Sequence, residues 1–430
     1  MNPTETDPDT ETGPSLLVFS DDWGRHASSC QHLIRELLPR YDVTWVNTIG
    51  TRAPRLDIAT LKRVMEKLRQ WSARPTKSDT SDGDTAEPDR TAGAASESSS
   101  LQPRVVNPRM WPWFSGAFDR GVNRRLLARQ LTPIIEAMPQ PVIGLTTLPI
   151  TADLPDVLPV SRWVYYCVDD FSQWPGLDGK TLRRMDADMI RRADEIVVVS
   201  ETLRTMVAGE GRSCSMLTHG VDVDFWNVRT APRRRSVIDD IAGPCVVFWG
   251  VIDPRLCLPS LKALSSRLLN HRKWADARIV LVGPQQDPDP SLFELPNVVT
   301  RSAQPLAELP AIAADAAVLI MPYADLPVTR AMQPLKLKEY LATGRPVVVN
   351  DLPAIREWQE CMDVARSPDD FADLVIQNLD DSIPLAQQSA RQRLRGESWN
   401  RKSQCLEQIL LHPMPPVKRR ETDVSQLCHR

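Results

Sequence analysis

Short, continuous apolar runs alternate with amphipathic stretches along most of this chain, in two separate series. The first series has apolar runs at Leu16 to Ser20, Val43 to Val46, Val142 to Leu145, Trp163 to Val168 and Glu195 to Ser200. Helical patterns fall between them, through Cys30 to Leu38, Asn123 to Ala137 and Lys180 to Arg192. The second series has runs at Val246 to Trp249, Arg278 to Val282, Val318 to Met321 and Val347 to Val349. Its helices are expected at Ser260 to Asn270, Leu306 to Ala314, Leu335 to Thr343 and Phe371 to Leu379. Strands that are apolar throughout, rather than at every second residue, are buried on both faces, which requires a parallel sheet covered by crossover helices. The pattern therefore predicts an α/β protein of two Rossmann-like domains, residues 15–228 and 245–411. The linker between them, 229–244, is where Pro, Arg and Asp break the apolar pattern.

At 430 residues the chain exceeds what one core usually serves, and 42% hydrophobic content can fill two. A net charge of −3, with no helix-turn-helix, zinc-finger or RNA-binding signature, argues against nucleic acid as a partner. The acidic, Pro/Thr-rich opening residues carry no apolar run, so neither a signal peptide nor a membrane span is expected, and the location expected is cytoplasmic. Residues 1–14, an insertion at 72–103 and a tail at 412–430 lack the large apolar side chains that offset the entropy of ordering, so all three are expected to be disordered. Eight cysteines lie scattered without C-x-x-C pairs or nearby histidines, as reduced thiols do.

The stretch Met332 to Val349 reads as one functional unit. Leu335, Leu337, Tyr340 and Leu341 supply the apolar side of a short helix, Gly344 ends it, and Arg345-Pro346 leads into a buried strand. Free amides near Pro334, Leu335 and Lys336 attract an anion, and Lys336 adds a mobile charge. Glu339 lies one turn on, placed to accept hydrogen bonds from hydroxyls. Phosphate beside sugar hydroxyls describes a nucleotide sugar.

These residues resemble the donor-binding segment of GT-B glycosyltransferases, especially family-4-like enzymes of the bacterial exopolysaccharide and teichuronic-acid type. Glu339 matches the second glutamate of that family's Glu-x7-Glu pair, which holds the nucleotide ribose. The first glutamate would fall at position 331, which is Ala331. Over residues 15 to 410 the resemblance implies two Rossmann-like domains with parallel sheets facing across a cleft. The C-terminal domain would take a nucleoside-diphosphate sugar and the N-terminal domain a glycan or lipid-linked acceptor. It implies hexosyl transfer with retention and no cofactor beyond the donor.

In open parallel sheets ligands bind beyond the carboxyl ends of strands, so the loops there rank the candidates. In Ser20 to Ser29, Gly24 permits close approach, and Asp22, Gly24, Arg25 and His26 face acceptor and donor in the implied fold, with a capped turn of exposed polar residues, His26 among them, as the competing reading. In Tyr165 to Trp174, Asp169 and Asp170 resemble the strand-end acid of the catalytic cleft, with helix capping by one of them as the competing reading. The expected catalytic residues are thus Asp169, Asp170 and His26. In Phe248 to Leu256, Gly250 allows backbone amides to meet a diphosphate and Arg255 can grip it. Met216 to Phe225 looks like the family's Asn-Gly-Val-Asp turn with His219 in place of Asn, and a purely structural turn is the competing reading.

Gly179-Lys-Thr181 imitates the end of a phosphate loop but lacks its first glycine, and no G-x-G-x-x-G follows the opening strand. Asp186-x-Asp188, Asp222-x-Asp224 and Asp287-x-Asp289 do not directly follow a buried strand, so no essential metal is expected. Residues 104–129 gather Arg109, Trp111, Trp113, Phe114, Phe118, Arg120, Arg124, Arg125 and Arg129 against a single acid, Asp119. Such a segment suits peripheral contact with a lipid headgroup surface or an Arg-rich helix completing the first core. The reading from another class is a non-catalytic GT-B protein that binds a sugar nucleotide or glycan, and Ala331 is its support.

Overall fold

The computed structural model describes residues 13–25, 28–47, 101–228 and 235–411. The N-terminal half contains β1 (Ser15–Ser20), α1 (Ser29–Leu37), β2 (Val43–Asn47), β3 (Arg104–Val106), α2 (Ala117–Glu136), β4 (Val142–Thr146), β5 (Arg162–Cys167), α3 (Gly179–Arg192), β6 (Glu195–Val198), α4 (Glu201–Gly209) and β7 (Ser215–Met216). Every neighbouring pair in its sheet is parallel, in the order β3-β2-β1-β4-β5-β6-β7. Side-chain caps start the helices where the chain turns away from the sheet: Ser28 accepts from Gln31 N–H, Asp178 from Thr181 N–H and Ser200 from Leu203 N–H.

The C-terminal half runs through α5 (Val223–Trp226), β8 (Cys245–Trp249), α6 (Leu258–Leu269), β9 (Arg278–Val282), β10 (Val298–Arg301), α7 (Leu309–Asp315), β11 (Ala316–Met321), α8 (Pro327–Ala331), α9 (Leu335–Ala342), β12 (Val347–Asn350), β13 (Asp363–Ala365), α10 (Pro368–Asp380), α11 (Leu385–Arg391) and α12 (Trp399–Leu411). Its strands are again all parallel, in the order β10-β9-β8-β11-β12-β13. Both sheets thus have the doubly wound order that the apolar runs predict, and each encloses its own core.

Both expected domain edges move. Val221 and Trp226 belong to the second core, and Trp226 stacks on Trp249 with centroids 5.6 Å apart, so the crossover precedes the expected linker. The chain then crosses back. Trp399, Leu406 and Leu410 of α12 are buried in the first core, Ser403 Oγ donates to the Leu33 carbonyl (3.1 Å) and Tyr41 Oη to Glu407 (2.6 Å). The C-terminal domain expected to run to 411 therefore gives its last helix to the N-terminal domain, whose α1 leaves an apolar groove that α12 fills. The expected insertion falls outside the described residues except at 101–103, where Pro103 is already buried ahead of β3, and the two expected tails lie outside except for 13–14. No described helix is long and apolar enough to cross a membrane. All seven cysteines among the described residues are free.

Candidate active site

The strand order of the second sheet reverses between β8 and β11, which opens a crevice at their carboxyl ends. β8 runs into Gly250, whose N–H donates to the Val282 carbonyl (2.9 Å) and whose φ is 141°. A Cβ at Gly250 would stand 2.3 Å from Lys336 Nζ, so only glycine leaves this space to the lysine. Lys336 reaches in from the first turn of α9. Its Nζ contacts Tyr323 Oη and lies 4.7 Å from the ring centroid of Phe248 and 4.9 Å from that of Tyr323. No ion pair engages Lys336 among the described residues, so ring quadrupoles hold a cation whose charge is left for an anion.

No side chain caps the start of α9, where Pro334 is the N-cap residue, so first-turn amides face the same crevice as Lys336. The helix is anchored by Leu337, Tyr340 and Leu341 in the second core, while Leu335 packs against the first. Trp249 N–H donates to Tyr340 Oη (3.0 Å), which locks β8 to α9. Glu339 sits deep among these groups yet keeps part of its surface open. Burial pushes its carboxyl up to about 7, against the opposing pull of Lys336 and of the Trp249 indole. The segment read from sequence as one unit is one unit in space: a cation, a helix N-terminus and a proton-sensitive carboxyl around a glycine.

Arg255 does something different from the expected grip on a diphosphate. It is 5% exposed, and its guanidinium engages both Asp253 oxygens, with Nε at 2.9 and 3.1 Å and an Nη2 contact at 2.7 Å. That fork is already filled. The same guanidinium lies 4.5 Å from the ring centroid of Trp174 in the other domain, so Arg255 joins the two domains across the cleft. Asp169 feels its charge: burial pushes this carboxyl up to about 7, Arg255 pulls it down and Asp170 pushes it further up. Asp170 itself accepts from Ser172 N–H (3.0 Å) and Ser172 Oγ (2.5 Å), capping the 3₁₀ turn Phe171–Gln173, which is the competing reading for one member of the pair. Asp169 is the member whose carboxyl feels Arg255 of the other domain.

At the end of β1, Asp22 and Arg25 pair with each other at 3.2 Å on an exposed turn, and Gly24, with φ 78°, donates its N–H to Gln31 Oε1 (3.0 Å). His26 lies outside the described residues. Sequence reasoning passed over Asp21, which accepts from Ser20 Oγ, Ser28 Oγ and Gln31 Nε2, each at 2.9 Å, and so holds this loop together. It also passed over Tyr323, whose signal was its place just after the β11 run. Ala331 is 2% exposed, and its carbonyl accepts from Ser200 Oγ (2.6 Å) of the N-terminal domain. His219 is buried and kept neutral, its imidazole pushed down to about 3 by burial and then by Lys338, as suits a structural turn.

Residues 243–381 match the family described as Glycosyl transferases group 1. This segment is a glycosyl transferases group 1 domain. Gly250, Arg255, Tyr323, Lys336 and Glu339 all fall inside the group 1 domain. A Bacillus subtilis (strain 168) protein named for a glycosyltransferase of teichuronic acid biosynthesis, TuaH, is 29% identical over 190 residues, which cover 42% of this chain and 46% of TuaH. The chain thus spans less than half the length of that relative. Among solved structures, HepE of Anabaena, crystallised with UDP and glucose, superposes with a TM-score of 0.61 at 14% identity over 93% of this chain and 99% of its own. Sucrose-phosphate synthase of Thermosynechococcus elongatus gives 0.60 at 13% identity, over 92% and 98%. A UDP-forming trehalose-phosphate synthase of Burkholderia xenovorans gives 0.60 at 14% identity, over 93% and 99%. At such identities the likeness establishes the fold, and the two domains flanking the group 1 site have the GT-B arrangement. Among the described residues no group of three or more His, Cys, Asp and Glu side chains could hold a metal ion.

Proposed function

We propose that this chain is a glycosyltransferase that moves a hexosyl group from a nucleoside-diphosphate sugar to a glycan or lipid-linked acceptor in cell-envelope or exopolysaccharide synthesis. The observation that carries this reading is the unpaired Lys336 ammonium held over Gly250 at the switch point, with Glu339 one turn away on the same helix. Lys336 and the first-turn amides of α9 take the diphosphate, and Glu339 accepts from the ribose hydroxyls. TuaH's named role and the UDP bound to HepE support the same reading.

Transfer needs the leaving diphosphate stabilised and the acceptor hydroxyl positioned, and both are tasks for fixed charges. Lys336 stands where charge develops on the departing oxygen. We assign retention of configuration and independence of metal and of any cofactor to this reaction. Asp169, whose carboxyl burial pushes up to about 7, is the group we assign to exchange a proton with the acceptor. The N-terminal domain presents Arg109, Arg125 and Arg129 beside Trp111 at 40% and Phe118 at 76% exposure, and we assign this face to peripheral contact with an anionic lipid surface.

One observation favours a second reading. Ala331 stands where a sugar-binding glutamate is expected and is closed off against Ser200, which suits a protein that binds a sugar nucleotide without turning it over. Incubation with a panel of nucleotide sugars separates the two. A transferase slowly hydrolyses its own donor and releases nucleoside diphosphate, whereas a binding protein returns every donor intact.

A further inference from the structure

On the N-terminal domain, away from the group 1 site, lies a cavity of about 370 Å³ lined by Arg120, Gly121, Arg124, Asp153 and Arg184. Three guanidinium groups face one carboxylate there. Arg120 is fixed by Asp153, through two bonds of 2.7 Å, and by Asp188 at 2.8 Å, so its position is set before anything binds. Arg124 and Arg184 form no ion pair among the described residues, and Arg184 is steadied by Thr181 Oγ1 at 3.2 Å. Neither charge is thus taken up by an ion pair, though Arg184 also acts on Asp178, and both line the open volume. The recess is open enough to admit a phosphate group, and guanidinium forks match its oxygens.

Gly121 is a second, independent observation. It lies inside α2, where glycine costs about 1 kcal/mol relative to alanine. A Cβ there would meet nothing within 4 Å, so no packing demand explains the glycine. What its missing side chain leaves open is the cavity. α2 runs into β4 and α3 runs out of β5, so the first half of each lies at the carboxyl ends of the strands, the ligand side of the sheet.

We propose that this cavity binds a phosphate-bearing ligand, with Arg124 and Arg184 closing on its oxyanion and the Arg120–Asp153 pair forming the fixed wall beside them. Taking that ligand to be the acceptor rests on the reading proposed above; the binding itself does not. A neighbouring recess of about 20 Å³, lined in part by Phe114, Leu127 and Met185, is too narrow for a hydrocarbon chain. A lipid phosphate would therefore leave its chain outside, where Trp111 and Phe118 are exposed.

The test is a binding measurement on the full chain carrying Lys336→Ala, which takes the donor-site cation out of the comparison. Glycerol phosphate is titrated calorimetrically, and co-sedimentation is measured with phosphatidylcholine vesicles with and without phosphatidic acid. Saturable binding of glycerol phosphate identifies a phosphate recognised free in solution. Binding confined to phosphatidic acid vesicles identifies a lipid headgroup, and either result supports the site. Arg124→Gln and Arg184→Gln should each weaken that binding about tenfold or more, as loss of a charge-assisted contact does. Gly121→Leu, which suits a helix better than glycine, should crowd the recess beside Arg120 and Arg124 and weaken binding while the melting temperature holds or rises. The proposal is overturned if neither probe binds, or if binding survives all three changes and falls only with Arg125→Gln and Arg129→Gln, which would assign it to the outer surface.

Discussion

Gly250 and Lys336 compete for one volume: a Cβ on the glycine would lie 2.3 Å from the lysine Nζ. Because the clash is with the far end of a flexible side chain, Gly250→Ala should leave a folded protein in which Lys336 is displaced. The residue's φ of 141° adds strain of about 1–3 kcal/mol. Affinity for UDP should fall about tenfold while affinity for uridine holds, since the displaced charge serves only the phosphates. Calorimetric titration of both ligands checks this, and an equal fall in the two would place the fault in the fold.

The joint between the domains gives a second prediction. Arg255 is 5% exposed and depends on Asp253 for its counter-charge. Asp253→Asn should therefore cost about 3–5 kcal/mol, the loss expected when one partner of a buried pair is removed. Trp174→Ala takes away only the aromatic face beneath the guanidinium, and about 1–2 kcal/mol is at stake. Thermal unfolding of the two variants should rank them in that order. The reverse order would mean that the stack, and not the ion pair, holds Arg255.

The pH dependence of donor binding follows from Glu339. Its folded-state value of about 7 lies above the ordinary 4.5, so burial favours the protonated form. On stability the sign is negative with rising pH: the contribution is intact below about 4.5 and is lost as pH climbs towards about 7. On binding the sign reverses, because the ionised carboxylate accepts hydroxyl hydrogen bonds more strongly. Affinity for UDP-glucose, whose diphosphodiester does not titrate in this range, should rise between about pH 6 and about pH 8. In Glu339→Gln the profile should flatten, and a slope preserved in that variant would move the titration to another group, Asp169 first.

Most of the fold was legible because continuous apolar runs signal strands buried on both faces, and every run predicted as a strand forms one. Short edge strands such as β3 and β13 carry too few apolar residues to stand out. The return of α12 to the first domain was hidden because its amphipathic face states that it packs and not against what. The helix of Lys336 and Glu339 was legible for the same local reason that strands were: its charged residues, its core face and the Gly344 that ends it sit within one short segment. For Arg255, sequence shows a cation near a glycine turn but not its pairing with Asp253, two residues away, which the structure adds. Asp170 likewise turned on Ser172, two residues on.

The central claim is that α9 carries the donor site, Glu339 on the ribose and Lys336 on the diphosphate. Its most direct test is calorimetric titration of the wild type, Glu339→Gln and Lys336→Ala with UDP and with uridine. Glu339→Gln should weaken both ligands by about 1–3 kcal/mol, because both carry the ribose. Lys336→Ala should weaken UDP by a similar amount and leave uridine almost unchanged. If UDP binds the wild type and both variants keep its full affinity, the donor site is not on α9 and the account is wrong.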